Sequence, residues 1–179
     1  MTSQRPVLIV DYDPLWPLLF TELAAAISQT VGTLALKIEH VGSTSVPGLV
    51  AKPIIDVDVV IRSRDDVPEA ARRLATLGYV HEGDLGVTGR EAFARADGLT
   101  PWDGSKRQWP EHHLYVCAQG SQELARHLTF RDYLRTHPDA ATAYGELKQR
   151  LAEAFRNDRE AYTEGKTAFV EAVLRATMG

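Results

Sequence analysis

The chain is poor in cysteine. Cys117 is the only one among 179 residues, so no intramolecular disulfide can form, and a reducing compartment is the simplest setting. It also lacks a surplus of positive charge: 20 Lys and Arg stand against 24 Asp and Glu, a formal net charge of −4. A protein that grips long nucleic acid needs basic residues to displace counterions from phosphates. That class is therefore disfavoured, while small anions remain within reach of a local cationic cluster. No apolar run approaches the length of a membrane span. The opening MTSQRPVLIVDYDP shows no basic region followed by an apolar stretch and a cleavage site. A cytoplasmic protein with no membrane partner is expected. Internal repeats and low-complexity tracts are also missing. What remains is ordinary globular material, 44% hydrophobic and 25% charged. The length suits one domain that buries a core unaided.

Periodicity divides the chain into a mixed β region, about 1–119, and a helical region, about 120–179. Val7 to Val10 reads as a short strand. Asp13 is placed to cap a helix with Pro14 at its first position, running to about Thr30 with Leu15, Leu18, Leu19, Leu23, Ala26 and Ile27 on its apolar face, and Trp16 in the core. Alternation from Leu34 to Val41 predicts a half-buried strand, and Gly42 to Pro53 a loop. Ile54 to Ile61 is rich in β-branched residues and predicts a second strand. Asp65 or Asp66 is expected to cap a helix that ends at Gly78. Tyr79 to about Arg95 reads as a hairpin broken by glycines, 97–111 as a loop long enough to serve as a lid, and His113 to Cys117 as a strand. Three helices follow, marked by Leu124 and Leu128, by Pro138 to Phe155, and by Tyr162 to Leu174. The fold class is α+β.

The chemistry concentrates in the centre. Asp56 and Asp58 lie two apart on a strand, so both side chains share one face, while Ile55, Val57, Val59 and Ile61 belong to the core. Two neighbouring carboxylates repel, and a half-buried pair is costly unless a cation lies between them. Mg²⁺ or Mn²⁺ suits such hard oxygen ligands and would bridge to substrate phosphates. The competing reading is one Asp capping a loop and the other solvated. In His40-Val41-Gly42-Ser43-Thr44-Ser45-Val46-Pro47-Gly48, Gly42 permits close backbone approach, and Ser43, Thr44 and Ser45 offer hydroxyls and N–H groups to a phosphate. An ordinary capped turn is the alternative. The segment is not a Walker A loop, because Gly48 and Lys52 are separated and Pro53 follows the lysine. Lys52 can reach a phosphate as a point charge or remain a solvated loop residue.

A Gly-Ser turn followed by Asp-x-Asp on the next strand resembles the signature of polymerase-beta-like nucleotidyltransferases. Across nearly the whole chain, Tyr12-Asp13-Pro14-Leu15-Trp16-Pro17, His40 to Leu49, Ala51 to Asp56, His113 to Val116, Phe130 to Arg135, Tyr144, Leu147-Lys148, Tyr162 and Gly165-Lys166 resemble the GrpB family. That resemblance implies a nucleotidyltransferase-like sheet, with Gly42 and Ser43 holding a nucleotide's phosphates and Asp56 and Asp58 binding catalytic metal. It also implies a functional link to coenzyme A biosynthesis, because the family occurs fused to dephospho-coenzyme A kinase. The third carboxylate usual in active nucleotidyltransferases is missing. His113 and Tyr115 occupy the corresponding face of the next strand in order, and Glu91 and Glu111 lie in no recognisable motif.

His113 can bind phosphate, ligate metal or be structural. Arg95 and Arg131 are the preferred phosphate clamps among Arg90, Arg95, Arg131 and Arg135. Asp132 and Asp139 are expected at helix surfaces or caps. Trp102 and Trp109 either stack on a base or pack the long loop, and Cys117 is expected to be an inert, half-buried thiol. Three functions follow as expectations. The first is metal-dependent transfer of a nucleotidyl group from a nucleoside triphosphate to a small acceptor. The second is a non-catalytic module that binds a nucleotide or a coenzyme A-related ligand. The third is single-metal hydrolysis with His113 as base.

Overall fold

A computed structural model describes residues 6–178. Helix α1 spans Trp16–Val31, and strand β1 Ala35–Val41 follows it. After a 3₁₀ turn at Ser43–Ser45 come β2 Ile55–Ile61, α2 Val67–Ala75, β3 Tyr79–Gly83, β4 Arg90–Arg95 and β5 His112–Ala118. The chain then runs through α3 Gln122–Thr136, α4 Pro138–Ala154, α5 Arg159–Glu164 and α6 Thr167–Met178. The α+β class and the helical C-terminal portion agree with the sequence reading.

The strands form one mixed sheet in the order β1-β2-β5-β4-β3. β2 pairs antiparallel with β1 and parallel with β5, while β4 pairs antiparallel with both β3 and β5. Alternation then sorts the residues of β2. Ile55, Val57, Val59 and Ile61 enter a core with Leu114, Val116 and Phe93 from the neighbouring strands. This face is covered by Leu23, Ala26, Ile27 and Val31 of α1 and by Ala70 and Leu74 of α2. The other face carries the two aspartates. Val60 and Cys117 on that face pack against Leu124 of α3. A third cluster joins Val46 and Leu49 of the long turn to Leu134 of α3 and Tyr144 of α4. The C-terminal helices thus pack on the turn that follows β1.

Several boundaries differ from expectation. Val7 to Val10 is no strand; Val10 makes an isolated bridge to Ala51. Asp13 accepts from Leu15 N–H one turn before α1 rather than capping it. Leu15 and Leu18 are exposed, because Trp16 begins the buried stripe that continues through Leu23, Ile27 and Val31. Ser63, not Asp65 or Asp66, caps the turn before α2, in a reciprocal capping box with Asp66. The single last helix is two, broken between Glu164 and Thr167. Loop 97–111 is packed down rather than free to close: Trp109 is buried in the main core, and its Nε1 donates to Pro101 O at 3.0 Å. Cys117 is fully buried, and burial pushes its thiol pKa up. Among the described residues no helix is long and apolar enough to cross a membrane.

Leu74 is completely buried, whereas Leu36 is 41% exposed. Leu74→Ala should cost about 2–4 kcal/mol in urea denaturation, by loss of transfer energy plus a cavity. Leu36→Ala should cost less than about 0.5 kcal/mol.

Candidate functional site

Register creates the site. Parallel pairing sets His113 beside Asp56 and Tyr115 beside Asp58, and antiparallel pairing sets Val41 and Glu39 on their other side. The expectation that His113 and Tyr115 hold the face where a third carboxylate would sit agrees with this pairing. Directly after Val41 the chain turns at Gly42, whose φ is +70°. A Cβ built there would lie 2.1 Å from Asp56 Oδ2. Only glycine tolerates both that backbone region and that approach. The turn and the first aspartate are therefore in contact.

Each aspartate gives one oxygen to a histidine. Asp56 Oδ1 pairs with His113 Nδ1 at 2.9 Å, and Asp58 Oδ2 with His127 Nδ1 at 2.7 Å. His127 Nε2 lies 3.2 Å from Glu123 Oε1, so this ring bridges two carboxylates. Burial opposes its protonation, but hydrogen bonds to Asp58 and Glu123 outweigh burial and raise its pKa to about 9. An imidazolium is thus the built-in countercharge of fully buried Asp58. The other oxygen, Asp58 Oδ1, is buried with no hydrogen-bond partner. An orphan carboxylate oxygen is expensive in a protein interior.

Near the turn and Asp56 stand three lysines. Lys148 of α4 is 2% exposed. Its Nζ donates to Ser43 Oγ at 2.9 Å and to the carbonyl of Val50. Burial, then the nearby Lys166 charge, lower its pKa to about 7. Lys52 and Lys166 each hold an ammonium over the Tyr162 ring, at 4.3 and 4.6 Å. Lys52 falls to about 8 through burial and the repulsion of Lys166 and Arg159; Lys166 is lowered by burial and partly restored by Asp56. None of the three forms an ion pair with a carboxylate among the described residues.

The remaining expected residues divide. Gly42, Ser43, Lys52, Asp56, Asp58 and His113 share the neighbourhood just described. Thr44 and Ser45 turn inward. Thr44 Oγ1 shares a hydrogen bond with His40 Nε2 at 2.9 Å, and Ser45 Oγ donates to Gly42 O at 2.6 Å. His40 stacks on Phe20, and burial lowers its pKa to about 4, so a neutral ring holds the turn. These two hydroxyls therefore brace the turn. Arg131 is committed to Glu39 at 2.8 Å, Asp132 at 2.7 Å and the carbonyl of His40 at 3.1 Å. Arg135 Nε donates to Ser45 O at 3.0 Å. Both arginines secure the end of β1 and its turn, and Arg135 also lines a cavity beside that turn. Arg95 shares the core face with Phe93, two residues before it, and pairs with Glu111 at 3.2 Å; it is away from the aspartates. Glu91 pairs with His81 at 2.8 Å, also on the core-side register. Asp139 lies in the first turn of α4.

The sequence reading missed His127 and gave Lys148 and Lys166 no role. A signal existed for two of them. His127 is three residues from Leu124, and Lys148 is four from Tyr144, so each places a polar group on an apolar helical stripe. Among the described residues no three His, Cys, Asp or Glu side chains are grouped to hold a metal unaided.

Comparison with known proteins agrees with this architecture. The model of the GrpB protein family matches residues 6–176. The UPF0157 protein YqkA of Bacillus subtilis is 34% identical over 94% of the chain, which spans 46% of that relative's length. A dephospho-CoA kinase of Mycolicibacterium paratuberculosis is 27% identical over 97% of the chain and 47% of its own length. The crystal structure of the conserved protein GrpB from Enterococcus faecalis aligns with a TM-score of 0.80 at 34% identity, covering 96% of this chain and 97% of that one.

Two outcomes test the site's construction. Gly42→Ala should destabilise the fold by about 1–3 kcal/mol in chemical denaturation, from backbone strain alone, and more if Asp56 cannot move. His127→Gln leaves Asp58 without its countercharge and should cost about 3 kcal/mol at pH 6. The folded pKa of His127 is raised to about 9 from 6.5. Its contribution is therefore complete below about 6.5 and lost as the pH rises through about 9. The stability gap between wild type and His127→Gln should shrink across that window, measured by urea denaturation at each pH.

Proposed function

This chain belongs to the GrpB protein family, and we propose that it binds a nucleoside triphosphate with Mg²⁺ or Mn²⁺ and transfers its nucleotidyl group to a small acceptor, the α–β phosphoanhydride bond breaking and pyrophosphate leaving. The observation that carries this reading is the charge arrangement around Gly42. Two carboxylates stand beside the turn, and near them are three desolvated lysines that form no ion pair with a carboxylate among the described residues. A polyphosphate carrying a divalent cation supplies the charges that both sides lack. Its cation satisfies carboxylate oxygens, and its phosphates satisfy ammonium groups.

The donor set fits such a cation. Mg²⁺ is ordinarily held by one or two carboxylates together with waters and substrate phosphates, rather than by a full protein cage. Asp58 Oδ1 has no partner, and Asp56 Oδ2 faces the turn. Asp56 and Asp58 would hold the metal, and the metal would neutralise charge developing on the transferred phosphoryl group. Gly42 and Ser43 would hold the terminal phosphates by close backbone approach. Lys148 would set the Ser43 side chain, and Lys52 and Lys166 would counter the phosphate charge. The nucleotidyltransferase-like placement is supported by the turn ending β1 against Asp-x-Asp on the antiparallel β2. A link to coenzyme A biosynthesis is part of the proposal, supported by likeness to part of a dephospho-CoA kinase.

One observation favours a second reading, a nucleotide- or coenzyme A-related binding module without catalysis. Glu39 is the carboxylate paired across from Asp58, and it is tied to Arg131 and Lys37. With His127 on Asp58, the site offers one cation position rather than two.

Thermal shift with ATP and Mg²⁺ tests the shared part. Wild type should gain several degrees at ligand concentrations about a hundredfold above Kd, since such binding adds about 2.7 kcal/mol. Asp56→Asn, on a partly exposed side chain, should keep the fold and lose the Mg²⁺-dependent part of the shift. An undiminished shift in Asp56→Asn/Asp58→Asn would sink the site assignment. Label transfer from α-³²P-ATP into a metabolite pool by wild type, absent in the double variant, separates transferase from binding module.

A further inference from the structure

Asp56 has neighbours in two directions. Its Oδ2 faces Gly42, where the phosphates are placed, while its Oδ1 is bonded to His113. His113 also lines a cavity of about 480 Å³ on that other side. The volume is in the range that holds a small organic ligand. Leu8 and Ile54 contribute apolar wall, and Lys52, Arg156 and Arg159 contribute positive charge. The one carboxylate of the lining, Glu111, is paired with Arg95.

The cations are held there by the fold. Val7 N–H donates to Arg156 O at 2.7 Å, which ties the chain before α1 to the end of α4. Arg159 opens α5, whose first turn is capped by Asp158. Neither arginine forms an ion pair among the described residues. Three cations converge on one partly apolar cavity beside the aspartate that would align the reacting phosphate.

The geometry points to this cavity as the acceptor subsite, taking a small molecule with a phosphate or carboxylate group attached to an apolar body. The inference rests on the nucleotidyl-transfer reading for the word acceptor. The anion would pair with Arg156 and Arg159, its apolar part would lie on Leu8 and Ile54, and its reacting group would point past His113 toward Asp56. Arg156 and Arg159 are selectivity residues here, set apart from Gly42, Ser43 and the metal ligands. Lys52 is shared by the two sides.

The test uses three probes of matched bulk without nucleotide or metal: phenyl phosphate, benzoate and benzyl alcohol. Binding is followed by amide shifts in NMR spectra of wild type, Arg156→Ala/Arg159→Ala and Leu36→Ala. At least one anion should bind wild type about tenfold more tightly than benzyl alcohol, since one hydrogen bond to a charged group is worth roughly that factor. The tighter anion identifies phosphate or carboxylate. Perturbations should centre on Leu8, Ile54 and Arg159. The double arginine variant should lose about tenfold or more, and Leu36→Ala, away from the cavity, should bind the anion as wild type does. Both arginines are exposed, so the variant is expected to fold, and its far-UV circular dichroism checks this. Equal binding of benzyl alcohol, no anion binding to wild type at millimolar concentration, or unchanged binding by the double variant would overturn the inference. ATP·Mg²⁺ binding by the same variants keeps the two readings apart. The double arginine variant should retain it, and its loss there would make the cavity part of the nucleotide site. No ATP binding by wild type would sink the nucleotide reading alone.

Discussion

The contact between Gly42 and Asp56 is the constraint on which the rest of the structure turns. A single added carbon would meet a carboxylate oxygen at 2.1 Å. Because backbone and carboxylate are this close, whatever lies in the turn also lies at the aspartate. The surrounding structure enforces that closeness from several directions. β1 and β2 pair antiparallel on either side of the turn. Neutral His40, Thr44 and the Ser45 hydroxyl brace it internally. Arg131, Arg135 and Lys148 hold it from the helical side. These are side-chain hydrogen bonds to the turn's own carbonyls and hydroxyls, and losing one that has no second partner leaves a polar group unsatisfied.

The electrostatics follow from burial. Asp58 is removed from water, and His127 compensates only one of its oxygens. Lys148 is also removed from water, with two neutral oxygens as partners. Charges of both signs are thus held near each other without being joined. Collapsing them into direct ion pairs would be the cheaper arrangement in a protein with no ligand to receive. The packing of α4 and α5 prevents that collapse, because Tyr144 and Tyr162 occupy the space beneath the ammonium groups. Such separation of opposite charge is the feature on which the proposed cation and polyanion ligand rests.

Much of this was legible in the sequence because it depends on short-range rules. Period two along Ile55 to Ile61 put both aspartates on one face and the core on the other. The Gly-Ser turn announced itself by residue type. The family resemblance pointed to His113 and Tyr115 on the face of the aspartates, and the β2–β5 register sets them beside Asp56 and Asp58. The misplacements have a common origin. Arg95 and Arg131 were chosen as cations near the right segment, but a strand's parity sent one to the core side, and carboxylate and carbonyl partners claimed the other. Lys148 and His127 went unassigned because their targets lie 105 and 69 positions away, beyond the reach of periodicity. Lysine in an apolar helical stripe was the available clue.

That long reach of Lys148 has a consequence for how the protein comes into being. Synthesis delivers the Gly42 turn and both aspartates early, and β5 must follow before β2 gains its parallel neighbour. The ammonium groups at 148 and 166, and the Tyr162 ring beneath Lys52 and Lys166, leave the ribosome well after them. Until then the nascent chain holds the carboxylates with Lys52 alone of the three lysines. At about 5–20 residues per second the interval between Asp58 and Lys166 lasts roughly 5–20 seconds. For that time the emerging chain lacks the full charge arrangement around Gly42, which is complete only when α4, α5 and Lys166 dock.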